Sequence, residues 1–266
     1  MTLGSLAPAL ALAGVGGLPV GSFLNVVVHR VPRDESLLRP ASRCPGCHAP
    51  VRAWQNVPVA SWLVLRGRCA GCHQRISIRY PLVEFGTAAL FVAVTARFGV
   101  SWVLPAYLYL AAIAVALAVI DLDVQRLPNG IVLPSYLIGA VLLLGAAAAD
   151  ADWAAAGRAL AAMSVLYTGY WLVAFAYPDG MGFGDVKLAG LLGLYLGWLG
   201  WSSVWIGTLT GFLVGGAVGV ALLVTRRATG RTPIPFGPSM LTGALLAVFA
   251  GAPVASWYGA LLAPAG

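Results

Sequence analysis

The sequence predicts an all-α polytopic membrane protein of about eight transmembrane helices, with a small cytoplasmic insert between the first two. Three observations point there. Apolar residues make up 60% of the 266 residues and charged residues 9%, against about 25% charged in a soluble domain. Nearly the whole chain divides into apolar stretches long enough, or almost long enough, to cross a bilayer. Only residues 30–81 are hydrophilic over any length, and they hold all four cysteines.

The spacing of charges and turn residues places spans near 3–28, 82–99, 101–120, 130–149, 157–177, 186–200, 202–225 and 237–262, the sixth being short. The chain then divides into a first transmembrane helix (1–29), a cytoplasmic four-cysteine domain (30–81) and a membrane-embedded domain (82–266). The first span is not read as a cleaved signal peptide. No Lys or Arg precedes Arg30, and the apolar run exceeds the length of an h-region. At its end, Asn25 and His29 fit either interfacial residues or part of a site. Segment 144–161, rich in Ala with Asp150 and Asp152, reads as a span end and outer loop.

Positive charge sets the expected orientation. Arg30, Arg33, Arg39, Arg43, Arg52, Arg66, Arg68, Arg75 and Arg79 face only Asp34 and Glu35 between the first two spans, which puts that segment in the cytoplasm and the N-terminus outside. Arg126, Lys187, Arg226, Arg227 and Arg231 then fall on the same side, and Arg97 and Arg158 on the other. The net charge of +7 follows from topology and anionic headgroups, so membrane lipid rather than nucleic acid is the expected partner.

Cys44-Pro-Gly-Cys47 and Cys69-Ala-Gly-Cys72 are two Cys-x-x-Cys turns whose spacing fits a four-thiolate tetrahedral zinc site, with Cys44, Cys47, Cys69 and Cys72 as ligands. The glycine before each second cysteine permits the tight turn that aims both sulfurs at one ion. A segment of this size has little core of its own, so metal binding would supply folding energy. His48 and His73 extend each turn to Cys-x-x-Cys-His, the attachment motif of c-type haem. That attachment is made outside the membrane, and disulfides are disfavoured in a reducing cytoplasm.

Two aspartates border apolar spans. Asp121 closes Ala118-Val-Ile-Asp121, and Asp185 ends Gly180-Met-Gly-Phe-Gly-Asp185. A carboxylate at the edge of hydrocarbon is costly, so each is a functional candidate. Gly180, Gly182 and Gly184 would let a substrate backbone approach Asp185 and let the chain enter the membrane sharply. No Gly-Lys-Ser/Thr and no strand context accompany them, so they are not a nucleotide loop. Polar residues also gather wherever helices leave a bilayer, and small residues pack membrane helices. The residues alone therefore leave catalysis and structure as open alternatives. Asp123 is a near neighbour that a helical continuation would turn away from Asp121.

The chain resembles the prepilin peptidases of type IV pilus and type II secretion systems, membrane aspartic proteases of the Gly-x-Gly-Asp type. The resemblance is carried by Gly21-Ser-Phe-Leu-Asn-Val-Val-Val-His-Arg-Val-Pro32, both cysteine pairs, Asn56-Val-Pro-Val-Ala-Ser-Trp62, Arg66-Gly-Arg-Cys69 and Ile76-Ser-Ile-Arg-Tyr-Pro-Leu-Val-Glu84. It continues through Asp121-Leu-Asp-Val-Gln-Arg-Leu-Pro128, Gly180-Met-Gly-Phe-Gly-Asp-Val-Lys-Leu188 and Thr232-Pro-Ile-Pro-Phe-Gly-Pro238. It implies a bacterial inner-membrane enzyme that removes the basic leader of type IV prepilins or pseudopilins at the cytoplasmic face, with Asp121 and Asp185 catalytic. It also implies N-methylation of the new N-terminus with S-adenosylmethionine. Many relatives read Leu-Pro-Asp where this chain has Leu127-Pro-Asn129, a position outside the catalytic pair. Glu84 is either an acid near a helix N-terminus or a further carboxylate of the cysteine-bearing region. The rival classes are a polytopic transporter, which would place its acids near mid-membrane among internal repeats, and a zinc-dependent scaffold, which would leave the aspartates idle.

Overall fold

The computed structural model describes residues 3–39, 41–44, 46–178, 180–227, 232 and 234–262. Arg231, counted above among the cytoplasmic charges, and Pro45 and Pro233 of the quoted motifs lie outside them. The described residues are all-helical apart from turns and two isolated β-bridges. Helix α1 covers Leu3–Arg30, the short α2 Ala60–Val64, α3 Arg79–Phe98, α4 Leu104–Val124 and α5 Asn129–Asp150. Helices α6 (Trp153–Ala176), α7 (Phe183–Leu199), α8 (Trp201–Val224) and α9 (Gly237–Leu262) complete the chain.

Eight apolar helices thus stand where eight spans were expected. Six of them, α1, α3, α4, α5, α6 and α8, are long and apolar enough to cross a membrane, and the chain is an integral membrane protein. Helix α7 has 17 residues, about 25 Å at 1.5 Å per residue, slightly short of a hydrocarbon core. Two boundaries differ from expectation in ways that matter. Helix α4 continues to Val124, so Asp121 belongs to its last turn rather than to the loop beyond. The expected outer loop is a tight reversal: Ala151 takes the left-handed conformation and the Asp152 carboxylate accepts the Ala155 N–H at 3.0 Å. That cap starts α6 four residues earlier than the apolar pattern suggested.

The chain forms two compact units, Met1–Ala116 and Leu117–Gly266, with α4 running from the first into the second. In the first unit α1 packs on α3. Gly17 and Gly21, one turn apart, bring the backbones together: a Cβ at either would stand 2.6 Å from the Cα of Ala88 or Glu84. This is small-residue packing, which hydrocarbon surroundings favour because lipid offers no hydrophobic drive between helices.

In the second unit α7 is the central helix, packed by α5, α6, α8 and α9, and nearly every residue from Val186 to Gly197 is buried. Gly193 and Gly197 press directly on α6, where an added Cβ would meet the Ala162 carbonyl oxygen at 2.6 Å or the Ala162 Cβ at 2.5 Å. Gly207 and Gly211 do the same on α8 toward α9, where Gly243 lies against the Gly211 backbone. Arg158 of α6 donates from Nε and Nη2 to the carbonyls of Gly197 and Trp198, both at 2.8 Å. It thereby satisfies the C-terminal end of α7 with positive charge, where the helix dipole favours it.

Replacing Gly193 with Val should lower stability by about 1–3 kcal/mol, the usual range for overpacking. Gly169→Ala on the same α6–α7 region, where an added Cβ meets nothing within 4 Å, should leave it unchanged. Thermal unfolding in detergent compares the two.

Candidate functional site

The second unit gathers both expected aspartates. Asp121 is 4% exposed, and its Oδ2 accepts the backbone N–H of Gly237 at 3.0 Å. Gly237 opens α9, so its amide is one of the donors that a helix start leaves unpaired. The contact is close enough to require glycine: a Cβ there would lie 2.7 Å from Oδ2 of Asp121 and 3.4 Å from Leu127. Leu127 also fills the space beside Gly184, 3.2 Å from an added Cβ. One leucine therefore wedges between the glycine turn that precedes Asp185 and the glycine that holds Asp121.

Asp185 occupies the first turn of α7, with Gly182 as its N-cap residue. Its backbone N–H donates to the Gly182 carbonyl at 3.0 Å. An anion is favoured at such an end, and the side chain is half-buried. Gly184, the residue before Asp185, and Gly237, the donor to Asp121, both pack against Leu127, so α4 and α7 bring the two carboxylates to one corner of the unit. Asp123 is exposed, on a different face from the buried Asp121. Of the three glycines singled out, Gly182 and Gly184 adjoin the carboxylates' surroundings. Gly180 lies in the turn itself, its N–H bonded to the Tyr177 carbonyl at 3.0 Å.

Asn129 follows Leu127-Pro128 at the start of α5. Its Oδ1 accepts from Lys187 Nζ at 2.7 Å, and the ammonium also lies 4.8 Å from the Phe183 ring centroid. The lysine two residues beyond Asp185 is thus held toward α5, and Tyr136 adds a hydrogen bond to the Lys187 carbonyl. Sequence reasoning gave no role to Gly237, Leu127 or Lys187. The run Ile234-Pro-Phe-Gly-Pro238 immediately before an apolar span was the available signal for Gly237.

In the first unit the four cysteines converge. Cys44 Sγ lies 3.7 Å from Cys72 Sγ, Cys47 Sγ 3.9 Å from Cys69 Sγ, and all four sulfurs fall within 4.8 Å of one another. A tetrahedron with 2.3 Å metal–sulfur bonds requires sulfurs about 3.8 Å apart, so the donor set fits one tetrahedral metal ion. The two turns are built alike. His48 N–H donates to the Cys44 carbonyl at 2.9 Å and His73 N–H to the Cys69 carbonyl at 3.0 Å. Both histidines take positive φ, which turns the chain back after each second cysteine. Backbone N–H groups of Cys72 and Gly71 pull the Cys69 thiol down to about 6, toward the thiolate that binds metal. Cys72 goes the other way, to about 11: the Gln74 amide lowers it, but desolvation and the neighbouring thiols outweigh that.

Glu84, 8% exposed, sits in the second turn of α3, and its Oε2 accepts the Val59 N–H at 2.7 Å. Val59 has φ 57° and ψ −49°, and Ala60 N–H reaches back to the Pro58 carbonyl at 2.5 Å. That is a three-residue turn strained for a β-branched residue, and the buried carboxylate holds it in place. Asn25 of α1 closes the same corner, donating to the Tyr80 carbonyl at 3.2 Å.

Comparison with known proteins follows these landmarks. Residues 15–98 match the model of the bacterial peptidase A24 N-terminal domain, and residues 108–256 that of the type IV leader peptidase family. The chain is 39% identical to a prepilin leader peptidase/N-methyltransferase of Stutzerimonas stutzeri, with 91% of each chain covered. It is 40% identical to the protein of that name in Aeromonas hydrophila over 91% of this chain and 90% of the other. A Neisseria gonorrhoeae protein of the same name is 40% identical over 87% of each. No solved structure matches the chain significantly.

Gly237→Ala should cost about 1 kcal/mol or more by driving a methyl into the Asp121 carboxylate, and Asp121→Ala in the same chain should relieve most of that cost. The coupling is read as a double-mutant cycle of thermal stability. Additive losses would show that the two residues do not touch.

Proposed function

The chain belongs to the type IV leader peptidase family, and from that premise we propose that it cleaves the basic leader from type IV prepilins or pseudopilins, with Asp121 and Asp185 as the catalytic pair. The observation that carries this reading is that two carboxylates from different helices border one leucine corner: Asp185 follows Gly184, which packs on Leu127, and Asp121 is held by the amide of Gly237, which packs on the same residue. Two carboxylates sharing a site do not both ionise easily, so the pair holds one proton over a range of pH. The ionised member takes a proton from a water between them, and that water attacks the scissile carbonyl carbon. The protonated member donates to the carbonyl oxygen and then, as the tetrahedral carbon collapses, a proton passes to the leaving amine. Acid and base are properties of the pair rather than of either residue. The glycines at 180, 182 and 184 are the approach for the substrate backbone beside Asp185.

The three-part division of the sequence carries over as a division of labour: an anchoring first helix, a cytoplasmic cysteine domain and a membrane-embedded peptidase domain. Zinc is the metal proposed for Cys44, Cys47, Cys69 and Cys72, because four thiolates in a closed tetrahedron suit its structural sites. Its role would be to fold the cysteine domain. The relatives' shared name supports N-methylation of the trimmed substrate, with S-adenosylmethionine as methyl donor. Among the described residues no strand-to-helix glycine turn of the dinucleotide-binding type is present, and no residue is assigned to that cofactor. The orientation proposed is N-terminus outside, with the cysteine domain and both aspartates at the cytoplasmic face of the bacterial inner membrane. A transporter would place its acids near mid-membrane, whereas Asp121 lies in the last turn of α4 and Asp185 in the first turn of α7, and an inert scaffold would leave both idle.

Membranes carrying wild type, Asp121→Asn or Asp185→Asn, given a prepilin-type substrate at equal protein levels, should differ by at least about a thousandfold in cleavage, as for groups that act as a unit. Survival of cleavage in either variant would remove the aspartic mechanism. Purified protein should carry one zinc per chain by elemental analysis. Cys69→Ser should lose it, and acidification should release it because protons compete for the thiolates.

A further inference from the structure

Three aromatic side chains of the second unit have no part in the proposed chemistry, yet they connect its two halves. Tyr170 of α6 stacks on Phe212 of α8 with ring centroids 5.6 Å apart. Phe212 meets Phe236 at 5.3 Å. Phe236 is the residue before Gly237, whose amide holds Asp121. At the other end Tyr170 is buried and lines a small space together with Ala189, one turn beyond Asp185 on α7. The row of rings therefore begins against α7, the helix that carries one aspartate, and ends on the turn that supplies the donor to the other.

The seat of the last ring is specific. A Cβ on Gly215 of α8 would stand 2.7 Å from Cε2 of Phe236 and 3.0 Å from Cδ2, so one edge of the Phe236 ring occupies the gap that glycine leaves. Ordinary core packing would account for three buried rings, but Phe212 is 43% exposed. The middle ring gains little from burial in the fold. What it does provide is contact to both of the others.

We infer that the Tyr170–Phe212–Phe236 row is a positioning device for the aspartate pair: it fixes the Phe236–Gly237 turn so that the Gly237 amide stays on Asp121, and it seats that turn against α7, which carries Asp185. The three rings are positioning residues, not catalytic ones. The inference rests on the reading of Asp121 and Asp185 as the cleavage pair. Misplacement of a reacting group by an ångström costs on the order of a hundredfold in rate, and moving a donor off a carboxylate changes its proton affinity. Loss of a ring should therefore act on turnover and on pH dependence together, and leave substrate binding alone.

Phe212→Leu, Phe212→Tyr and Gly215→Ala separate these effects in the full-length protein, using a synthetic prepilin-type peptide with a basic leader. Phe212 is chosen because its exposure lets leucine replace it without emptying a core. Phe212→Leu and Gly215→Ala should lower kcat about 10- to 100-fold, with KM within about twofold, and displace the acidic limb of the pH–rate profile. Phe212→Tyr, which keeps the ring, should behave as wild type. Unchanged kcat and pH profile in both Phe212→Leu and Gly215→Ala would overturn the inference, as would equal losses in Phe212→Leu and Phe212→Tyr. A readout independent of cleavage is the pH dependence of carbodiimide labelling at Asp121, followed by peptide mass. It should move in Phe212→Leu and stay in Phe212→Tyr; no movement in Phe212→Leu counts against the row. If the wild type leaves the peptide intact, the cleavage reading falls, and the labelling result alone decides the role of the rings.

Discussion

The hydrogen bond from the Gly237 amide to the Asp121 carboxylate is the constraint around which the second unit is organised. A carboxylate buried in the last turn of an apolar helix needs a donor, and few polar side chains are at hand in so apolar a chain. The start of another helix offers unpaired amides instead. Using one requires the α9 backbone to come within hydrogen-bonding distance of α4, and a side chain on residue 237 would stand in the way. Glycine at that position, the proline-punctuated segment before it and the Leu127 wedge beside it are consequences of that single contact.

The same economy governs how Asp185 is placed. It enters at the N-terminal end of α7, where the helix dipole favours an anion, and α7 itself is wrapped by its neighbours through glycines at 193 and 197. The helix that carries the second carboxylate is thus the most enclosed in its unit, and Arg158 neutralises its far end. A rigid central helix with an acid at one terminus is a suitable mount for chemistry that depends on two oxygens keeping a fixed separation. The cysteine domain solves a different problem. Its turns are too exposed to hold by burial, so four sulfurs at metal-binding distances and the Glu84 grip on the strained Val59 turn take over that task.

Much of this was legible in the sequence, for identifiable reasons. Apolar runs interrupted by charge located the eight apolar helices among the described residues, because a span must satisfy its own backbone and exclude charge; the short α2 inside the hydrophilic segment gave no such signal. Paired Cys-x-x-Cys turns forecast the convergence of the sulfurs, since the local turn dictates where each pair points. Asp121 and Asp185 stood out because acids are rare at the edge of hydrocarbon. What the sequence concealed depends on long-range contact. Nothing local ties Gly237 to Asp121 across 116 positions, or Lys187 to Asn129, or Arg158 to the end of α7. The start of α6 was misjudged because segment 144–161, rich in Ala with Asp150 and Asp152, reads as a span end and outer loop, whereas the Asp152 cap starts the helix at Trp153. Glu84 read either as an acid near a helix N-terminus or as a further carboxylate of the cysteine-bearing region, and its partner is an amide of that region 25 residues earlier.

Leader cleavage by this chain requires Asp121 and Asp185 to act as one unit. The most direct measurement is a double-mutant cycle on kcat/KM for leader cleavage with Asp121→Asn, Asp185→Asn and the double variant, all at matched abundance. A shared-proton pair predicts that the double variant is no slower than either single one, since the first substitution already removes the water-activating unit. Losses that add across the two positions, or a single variant that still cleaves at the wild-type rate, would contradict it.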